Sequence, residues 1–321
     1  MVEIELKFQI SEARRTALLK ALDPKKSETI QLQAKYFDTP DRLLAQHGAA
    51  LRQRLEGTRW IQTLKAAGKS HLHRFEHNHN LGELESSPEL DLSIYQAIPE
   101  AQQILTQALG SDAAALKLTF ETDIQRTYRV IEFEDAEIEV CLDVGVVRAS
   151  GREQTIHEVE FELKSGSVQS LLAFSFEWVK KYQLWLDVRS KAEMGNLLAL
   201  EQTVSPARFE KEFVLSKKES AAHNLSLLIG QQMQHLLPNI AAISAGVAEQ
   251  SHIDQAQTAL EHLQLTLALF KDWNSNISDK WAMQLAAFKH QFDHLQHLQH
   301  MQSTLGAFLQ NPTTTENLAK D

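Results

Sequence analysis

Residues 2–10 read Val-Glu-Ile-Glu-Leu-Lys-Phe-Gln-Ile, a regular alternation of apolar and polar side chains. Such alternation predicts a β-strand with one buried face. Because side chains two residues apart in a strand point to the same side, Glu3, Glu5 and Lys7 share one face. The apolar residues between them form the other face. The chain therefore opens with two carboxylates and a lysine aligned on one side of a predicted sheet.

Other short segments repeat this alternation, and each places its charged residues on one face. Acidic residues dominate the first and last of these strands, and basic residues dominate those between. The further predicted strands are Ala50–Leu55, Trp60–Lys65, Leu72–Leu81, Phe120–Phe133, Ile138–Val147 and His157–Lys164. We predict helices at Ser11–Leu22, Leu90–Leu109 and Val168–Tyr182.

The charged faces have two interpretations. An antiparallel sheet with one solvated face shows the same alternation. However, Glu158, Glu160 and Glu162 repel one another unless cations lie nearby, and divalent metals favour carboxylate oxygens. Closing the sheet into a barrel would place carboxylates opposite Arg and Lys inside it. That arrangement suits a polyanion that carries metal ions, since Arg and Lys bind phosphate oxygens.

These residues resemble the CYTH superfamily, the triphosphate tunnel metalloenzymes, over roughly residues 1–200. The ExExK signature is Glu3-Ile4-Glu5-Leu6-Lys7. The following elements occur in the order typical of the superfamily: Tyr36-Phe37-Asp38-Thr39, Leu51-Arg52-Gln53-Arg54, Thr63-Leu64-Lys65, Arg74-Phe75-Glu76, Thr122–Arg126, Leu142-Asp143-Val144-Gly145, His157–Gly166 and Arg189-Ser190-Lys191.

The resemblance implies an α+β fold in which an eight-stranded antiparallel β-barrel forms a tunnel with flanking helices. It implies Mg²⁺ or Mn²⁺ as cofactor and an inorganic triphosphate, or another small triphosphate, as substrate. The implied metal ligands are Glu3, Glu5, Asp143, Glu158, Glu160 and Glu162. The implied substrate-binding residues are Lys7, Arg52, Arg54, Lys65, Arg74, Arg126 and Lys191. The implied catalytic residues are Glu3, Glu5, Lys7 and Glu160.

Residues 204–321 show helical periodicity only, which predicts an all-α C-terminal domain beside the tunnel domain at 1–203. Pro238 is read as a turn between helices. The segment resembles a short, degenerate CHAD domain, a helical module that binds polyphosphate. Its 8 Lys and Arg against 11 Asp and Glu make a poor polyphosphate binder. We expect this domain to pack, to self-associate or to recruit another molecule.

Composition excludes several classes. The formal net charge of -10 argues against a general nucleic-acid or anionic-membrane binder. Cys141 is the only cysteine, so neither an internal disulfide nor a cysteine-based zinc site can form. Without a secretory signal or an apolar run of about 18 residues, we expect a cytoplasmic protein.

The sequence thus favours metal-dependent hydrolysis of inorganic triphosphate to diphosphate and phosphate. Two enzyme alternatives within the same superfamily stay open: an organic triphosphatase that acts on thiamine triphosphate or nucleoside triphosphates, and an adenylate cyclase. The non-enzyme alternative is a polyphosphate-binding protein, although a pure polyanion binder gains nothing from a cluster of carboxylates.

Overall fold

The computed structural model describes residues 2–70, 73–272, 279–290, 292–293 and 301, and it describes Val2, Glu3, 68–70, His73, Arg74 and Ala114 at the backbone only. The chain divides into two compact units, residues 1–205 and 206–321. Among the described residues, no helix has both the length and the apolar character needed to cross a bilayer.

The first unit is built on one antiparallel sheet of nine strands. In chain order these are β1 (Val2–Gln9), β2 (Glu28–Asp38), β3 (Ala49–Glu56), β4 (Arg59–Ser70), β5 (His73–Glu83), β6 (Lys117–Phe133), β7 (Ala136–Ala149), β8 (Arg152–Ser165) and β9 (Trp185–Leu186). The spatial order is β5-β4-β3-β2-β6-β7-β8-β1-β9, and β1 also pairs with β5. The predicted α+β class with an antiparallel sheet is confirmed.

The prediction of a regular eight-stranded barrel is wrong. The sheet has a ninth strand, and β1 meets β5 through three residue pairs only, from Val2–Phe75 to Ile4–His73. Beyond Ile4 the same edge of β1 is free of β5, and the two-residue β9 pairs there with Phe8 and Gln9. The short overlap between β1 and β5 therefore leaves room for an additional strand.

Helices cover the apolar side of the sheet. They are α1 (Glu12–Ala21), α2 (Leu43–Gln46), α3 (Pro99–Leu109) and α4 (Val168–Tyr182). One core joins α1 and α4 to β1, β7 and β8 through buried Leu18, Phe161 and Phe174. A second joins α2 and α3 to β3 and β4 through Leu44 and Leu64. Burying this side directs the polar residues of each strand to the opposite face.

Four of these elements of the first unit were not predicted from the sequence, and one predicted helix is shorter. The sequence analysis did not predict β2, α2, β9 or the helix α5 (Lys191–Ala199). The predicted helix Leu90–Leu109 is wrong in its first half, because the α-helix begins at Pro99 and Ile98 before it is extended. Proline disfavours the helical conformation of the residue that precedes it, so the helix starts at the proline.

The second unit contains α6 (Ala221–Ser244) and α7 (Gln250–Leu269). The predicted apolar stripe of α7 is buried at Ala256, Leu260 and Leu263. Pro238 lies inside α6 rather than at a turn, so that prediction is wrong. Tertiary contacts retain the helix there, since buried Asn239 beside the proline bonds both the backbone N–H and the carbonyl of Arg208.

Asp38 fixes the connection between β2 and α2. Its buried carboxylate accepts hydrogen bonds from the backbone nitrogens of Thr39, Leu44 and Ala45 at 2.7, 2.9 and 3.0 Å. One side chain thus satisfies two N–H groups in the first turn of α2 and one in the segment that leads to it.

We expect Asp38→Ala to lower the free energy of unfolding by about 2–4 kcal/mol, because it leaves buried donors unsatisfied. Urea unfolding followed by circular dichroism measures this loss. The matched control is Asp41→Ala at an exposed position, which should change stability by less than about 0.5 kcal/mol. Equal effects of the two substitutions would contradict this role for Asp38.

Candidate functional site

The strand register places the predicted acidic and basic residues on one face of the sheet. Directly paired residues of antiparallel strands project to the same side. Lys7 on β1 lies opposite Glu160 on β8. Asp143 on β7 lies opposite Glu158 on β8 and, on its other side, opposite Arg126 on β6. We call this side of the sheet the charged face.

The same register carries the basic strands onto the charged face. On β2, Ile30 pairs with Arg126, and Ala34, four residues later on the same side, pairs with Arg54. Farther along the sheet, Lys65 pairs with Glu76. Residues as far apart in the sequence as Lys7 and Glu160 therefore converge because the hydrogen-bonded register is continuous from β1 to β5.

Three carboxylates meet at the centre of the charged face. One oxygen from each of Asp143, Glu158 and Glu160 lies within 4.8 Å of the others. Asp143 and Glu158 are completely buried. A convergent set of hard oxygen donors fits a divalent ion such as Mg²⁺ or Mn²⁺, which matches the predicted cofactor class.

Arg126 and Lys191 each contact more than one of these carboxylates directly. Arg126 donates from Nε to Asp143 Oδ1 at 2.7 Å and from Nη2 to Glu160 Oε2 at 2.5 Å. Lys191 Nζ lies 2.7 Å from Asp143 Oδ2 and 2.8 Å from Glu160 Oε1, and it forms an ion pair with Glu158 Oε1. The charges that would repel one another are therefore neutralised within the protein.

Lys191 reaches the carboxylates because α5 begins at this residue. Ser190 caps the helix, its Oγ accepting from the Glu193 N–H at 3.0 Å. A Ser with a Glu three residues later is a sequence signal for a helix start. This signal was present in the sequence and could have identified α5.

The ion pairs determine the protonation states of the cluster. Burial raises the pKa of Asp143 and of Glu160, but Arg126 and Lys191 outweigh burial and hold both pKa values below their ordinary range. Burial lowers the pKa of Lys191, but Asp143, Glu158 and Glu160 raise it well above its ordinary value. Asp143, Glu160 and Lys191 are therefore charged at neutral pH.

Lys7 ties the first strand to the segment before α5. Its Nζ lies 3.1 Å from Glu158 Oε2 and also donates to the carbonyl of Arg189. The Lys7 carbonyl in turn accepts from the Asp187 N–H at 3.0 Å, and Asp187 forms an ion pair with Arg189 at 2.8 Å. Asp187 is buried and was not singled out by the sequence analysis.

A separate basic group occupies β3 and β4 on the same face. Arg54 forms an ion pair with Glu56, and Lys65 Nζ lies 2.5 Å from Glu76 Oε2. Arg52 donates to the Tyr36 hydroxyl at 3.4 Å. Burial and then repulsion from Arg52 lower the pKa of Arg54 to about 10, although Glu56 opposes this effect. An anion bound between Arg52 and Arg54 would relieve this repulsion.

The remaining predicted residues lie beside the cluster. Glu5 pairs in register with Glu162, and Glu162 accepts from Lys164 at 3.0 Å. Neither belongs to the group of three converging carboxylates. The backbones of Glu3 and Arg74 pair with each other where β1 meets β5, and their side chains lie outside the described part of the structure.

One end of the charged face is apolar and is covered by α5. Met194 packs there with Phe120, Ile124 and Val147. The Phe120 ring stacks on Tyr36 with a centroid distance of 4.4 Å. Alternation within single strands could not reveal this division, because the apolar residues share the parity of Arg126 and Asp143.

The family model for the CYTH domain matches residues 1–195. The chain therefore belongs to the CYTH family, which confirms the resemblance seen in the sequence. The match ends before the second unit, so the CHAD-like character of residues 204–321 stays a prediction.

A sequence relative is the inorganic triphosphatase of Haemophilus influenzae, which is 33% identical over 227 residues. The match covers 68% of this chain and 62% of the relative, so this chain spans less than two thirds of the relative's length.

Solved structures of low identity also match. A candidate adenylyl cyclase from Hippeastrum with a dominant triphosphatase activity is 18% identical, covers 63% of this chain and 97% of its own, and has a TM-score of 0.43. A candidate adenylate cyclase from Bacillus halodurans is 22% identical, covers 56% and 89%, and has a TM-score of 0.40.

Gly195 holds α5 against the sheet. A Cβ at this position would lie 2.2 Å from the Phe120 ring. We expect Gly195→Ala to lower the free energy of unfolding by about 1–3 kcal/mol, because the helix must move away from the ring. Urea unfolding of both single variants and of the double variant with Phe120→Leu measures the coupling. The double variant should be less destabilised than the sum of its parts. If the losses of unfolding free energy in the two single variants added up to the loss in the double variant, this contact would be contradicted.

Proposed function

We propose that this protein is a metal-dependent inorganic triphosphatase whose site is the charged face. The observation that carries the proposal is the meeting of Asp143, Glu158 and Glu160 with a basic group on the same face. A carboxylate cluster alone would suit many cations, and a basic group alone would suit many anions. Their combination suits a polyanion that is bound together with a metal ion.

Asp143, Glu158 and Glu160 would hold the metal ion, with Glu162 on β8 and with Glu3 and Glu5 on the adjacent strand β1 as further carboxylates. When bound, Mg²⁺ or Mn²⁺ would neutralise phosphate charge and lower the pKa of a coordinated water. Asp143 and Glu160 remain ionised for this task, because Arg126 and Lys191 keep their pKa values low.

The basic residues would bind and orient the phosphate chain. Arg52 and Arg54 offer planar donors that match phosphate oxygens, whereas Lys65 offers a point charge. Lys7 is proposed to act beside the carboxylates, where it contacts Glu158, and Arg74 is proposed to bind phosphate as well. Holding the phosphate chain of the substrate in one orientation for attack by water accounts for most of the rate gain in phosphoryl transfer, because little covalent chemistry is required of the protein.

The activity of the Haemophilus influenzae relative supports inorganic triphosphate as the substrate. We propose that the tunnel domain comprises residues 1–203 and that residues 204–321 form a short CHAD-like domain with no part in hydrolysis. The compact packing of residues 1–205 supports this division.

The central test is phosphate release from triphosphate, ATP and thiamine triphosphate with Mg²⁺, with Mn²⁺ and with EDTA. We expect hydrolysis of triphosphate that requires metal and exceeds the hydrolysis of either organic substrate. Glu160→Gln should lower kcat about a hundredfold or more, because it removes a preorganised charge. The control Glu177→Gln, at an exposed position on α4, should be unaffected. Full activity of Glu160→Gln would overturn the site assignment.

Arg54→Ala should raise KM for triphosphate about ten- to a hundredfold with a smaller change in kcat, as expected for the loss of a charged hydrogen-bond donor to the substrate. Initial rates over a range of triphosphate concentrations provide the measurement. Arg59→Ala, which removes an exposed arginine from β4, serves as the control. Unchanged kinetics for Arg54→Ala would place Arg54 outside the substrate site.

A further inference from the structure

Lys191 occupies the point where the three carboxylates converge. Its Nζ contacts one oxygen of each: Asp143 Oδ2 at 2.7 Å, Glu160 Oε1 at 2.8 Å and Glu158 Oε1. These are the same three residues whose oxygens lie close enough together to hold a metal ion. An ammonium group and a divalent cation therefore compete for one location.

The cluster is charge-balanced without any ligand. Its three negative charges are contacted by three positive charges, from Lys7, Arg126 and Lys191. A divalent cation that entered beside Lys191 would add two uncompensated charges in a buried environment, which is strongly unfavourable. Removal of the Lys191 ammonium from the cluster leaves one net negative charge, which attracts the metal.

The position of Lys191 allows it to move. The residue opens α5, so its ammonium is carried on a flexible four-carbon stem at the end of a helix. Its charge also acts on the hydroxyl of Tyr36, which accepts from Arg52. Lys191 thus lies between the carboxylates and the basic group, where phosphate oxygens of a bound polyanion would offer it a new partner.

We propose that Lys191 is a built-in counter-cation that the metal displaces, so that metal and triphosphate bind well only together. This inference rests on the proposed function, because it takes the carboxylates as the metal site. A metal ion alone binds weakly, since it must remove Lys191 without offering it another anion. A metal bound with triphosphate supplies that anion. The metal then pairs with the carboxylates, and the Lys191 ammonium pairs with the phosphate chain.

The first experiment measures Mn²⁺ binding by electron paramagnetic resonance without any polyanion. Lys191→Met should bind Mn²⁺ at least tenfold more tightly than the wild-type protein, a change of about 1.4 kcal/mol. The matched control Lys180→Met removes one exposed charge from α4 and should bind as the wild type does. An affinity of Lys191→Met equal to or below that of the wild type would overturn the proposal, and so would the absence of Mn²⁺ binding by the variant.

The second experiment uses the wild-type protein and does not depend on how well the variant folds. Acetylation by an N-hydroxysuccinimide ester, followed by mass spectrometry, reports the exposure of each lysine amine. Saturating Mn²⁺ should accelerate the labelling of Lys191 at least threefold and leave Lys180 unchanged. Equal or slower labelling of Lys191 would overturn the proposal.

Neither experiment requires turnover. If both give the expected results while triphosphate is not hydrolysed, the counter-cation role stands and the proposed function fails. If triphosphate is hydrolysed while both give the contrary results, the proposed function stands and this inference fails.

Discussion

The structure depends on the burial of carboxylates against cations from distant parts of the chain. Asp143 and Glu158 are fully buried, and each would be strongly destabilising without a partner. Lys7, Arg126 and Lys191 supply the partners from β1, β6 and the start of α5. Replacing such a cluster with apolar residues is often neutral or stabilising, so its presence supports the binding role that we propose for it.

The rest of the first unit keeps this cluster in place. The apolar side of the sheet is packed under α1, α2, α3 and α4, which leaves the other side for the charged residues. Continuous pairing from β1 to β5 then brings acids and bases onto one surface. The contact of α5 with the apolar end of that surface positions Lys191, and Gly195 is required at that contact because of its closeness to Phe120.

Alternation within strands predicted the charged face well, because side-chain parity is a local property. The sharing of a face by Glu158 and Glu160, and by Arg52 and Arg54, follows directly from that parity. Convergence of Asp143 with Glu158 depends on register between strands, and single-strand patterns do not contain that information. The sequence could have identified β2, because Ile30, Leu32, Ala34 and Tyr36 alternate with polar residues in the same way as the residues of β1. The ninth strand was missed because two residues are too few to show a period.

The most direct test of the central claim is a crystal structure of the protein with triphosphate and Mn²⁺, in which anomalous scattering locates the metal. The account predicts an anomalous peak about 2.0–2.2 Å from oxygens of Asp143, Glu158 and Glu160, which is the metal–oxygen distance expected for a small hard cation. It also predicts phosphate oxygens at Arg52 and Arg54, with the Lys191 ammonium moved onto the phosphate chain. A metal bound elsewhere, or a triphosphate bound away from these arginines, would contradict it.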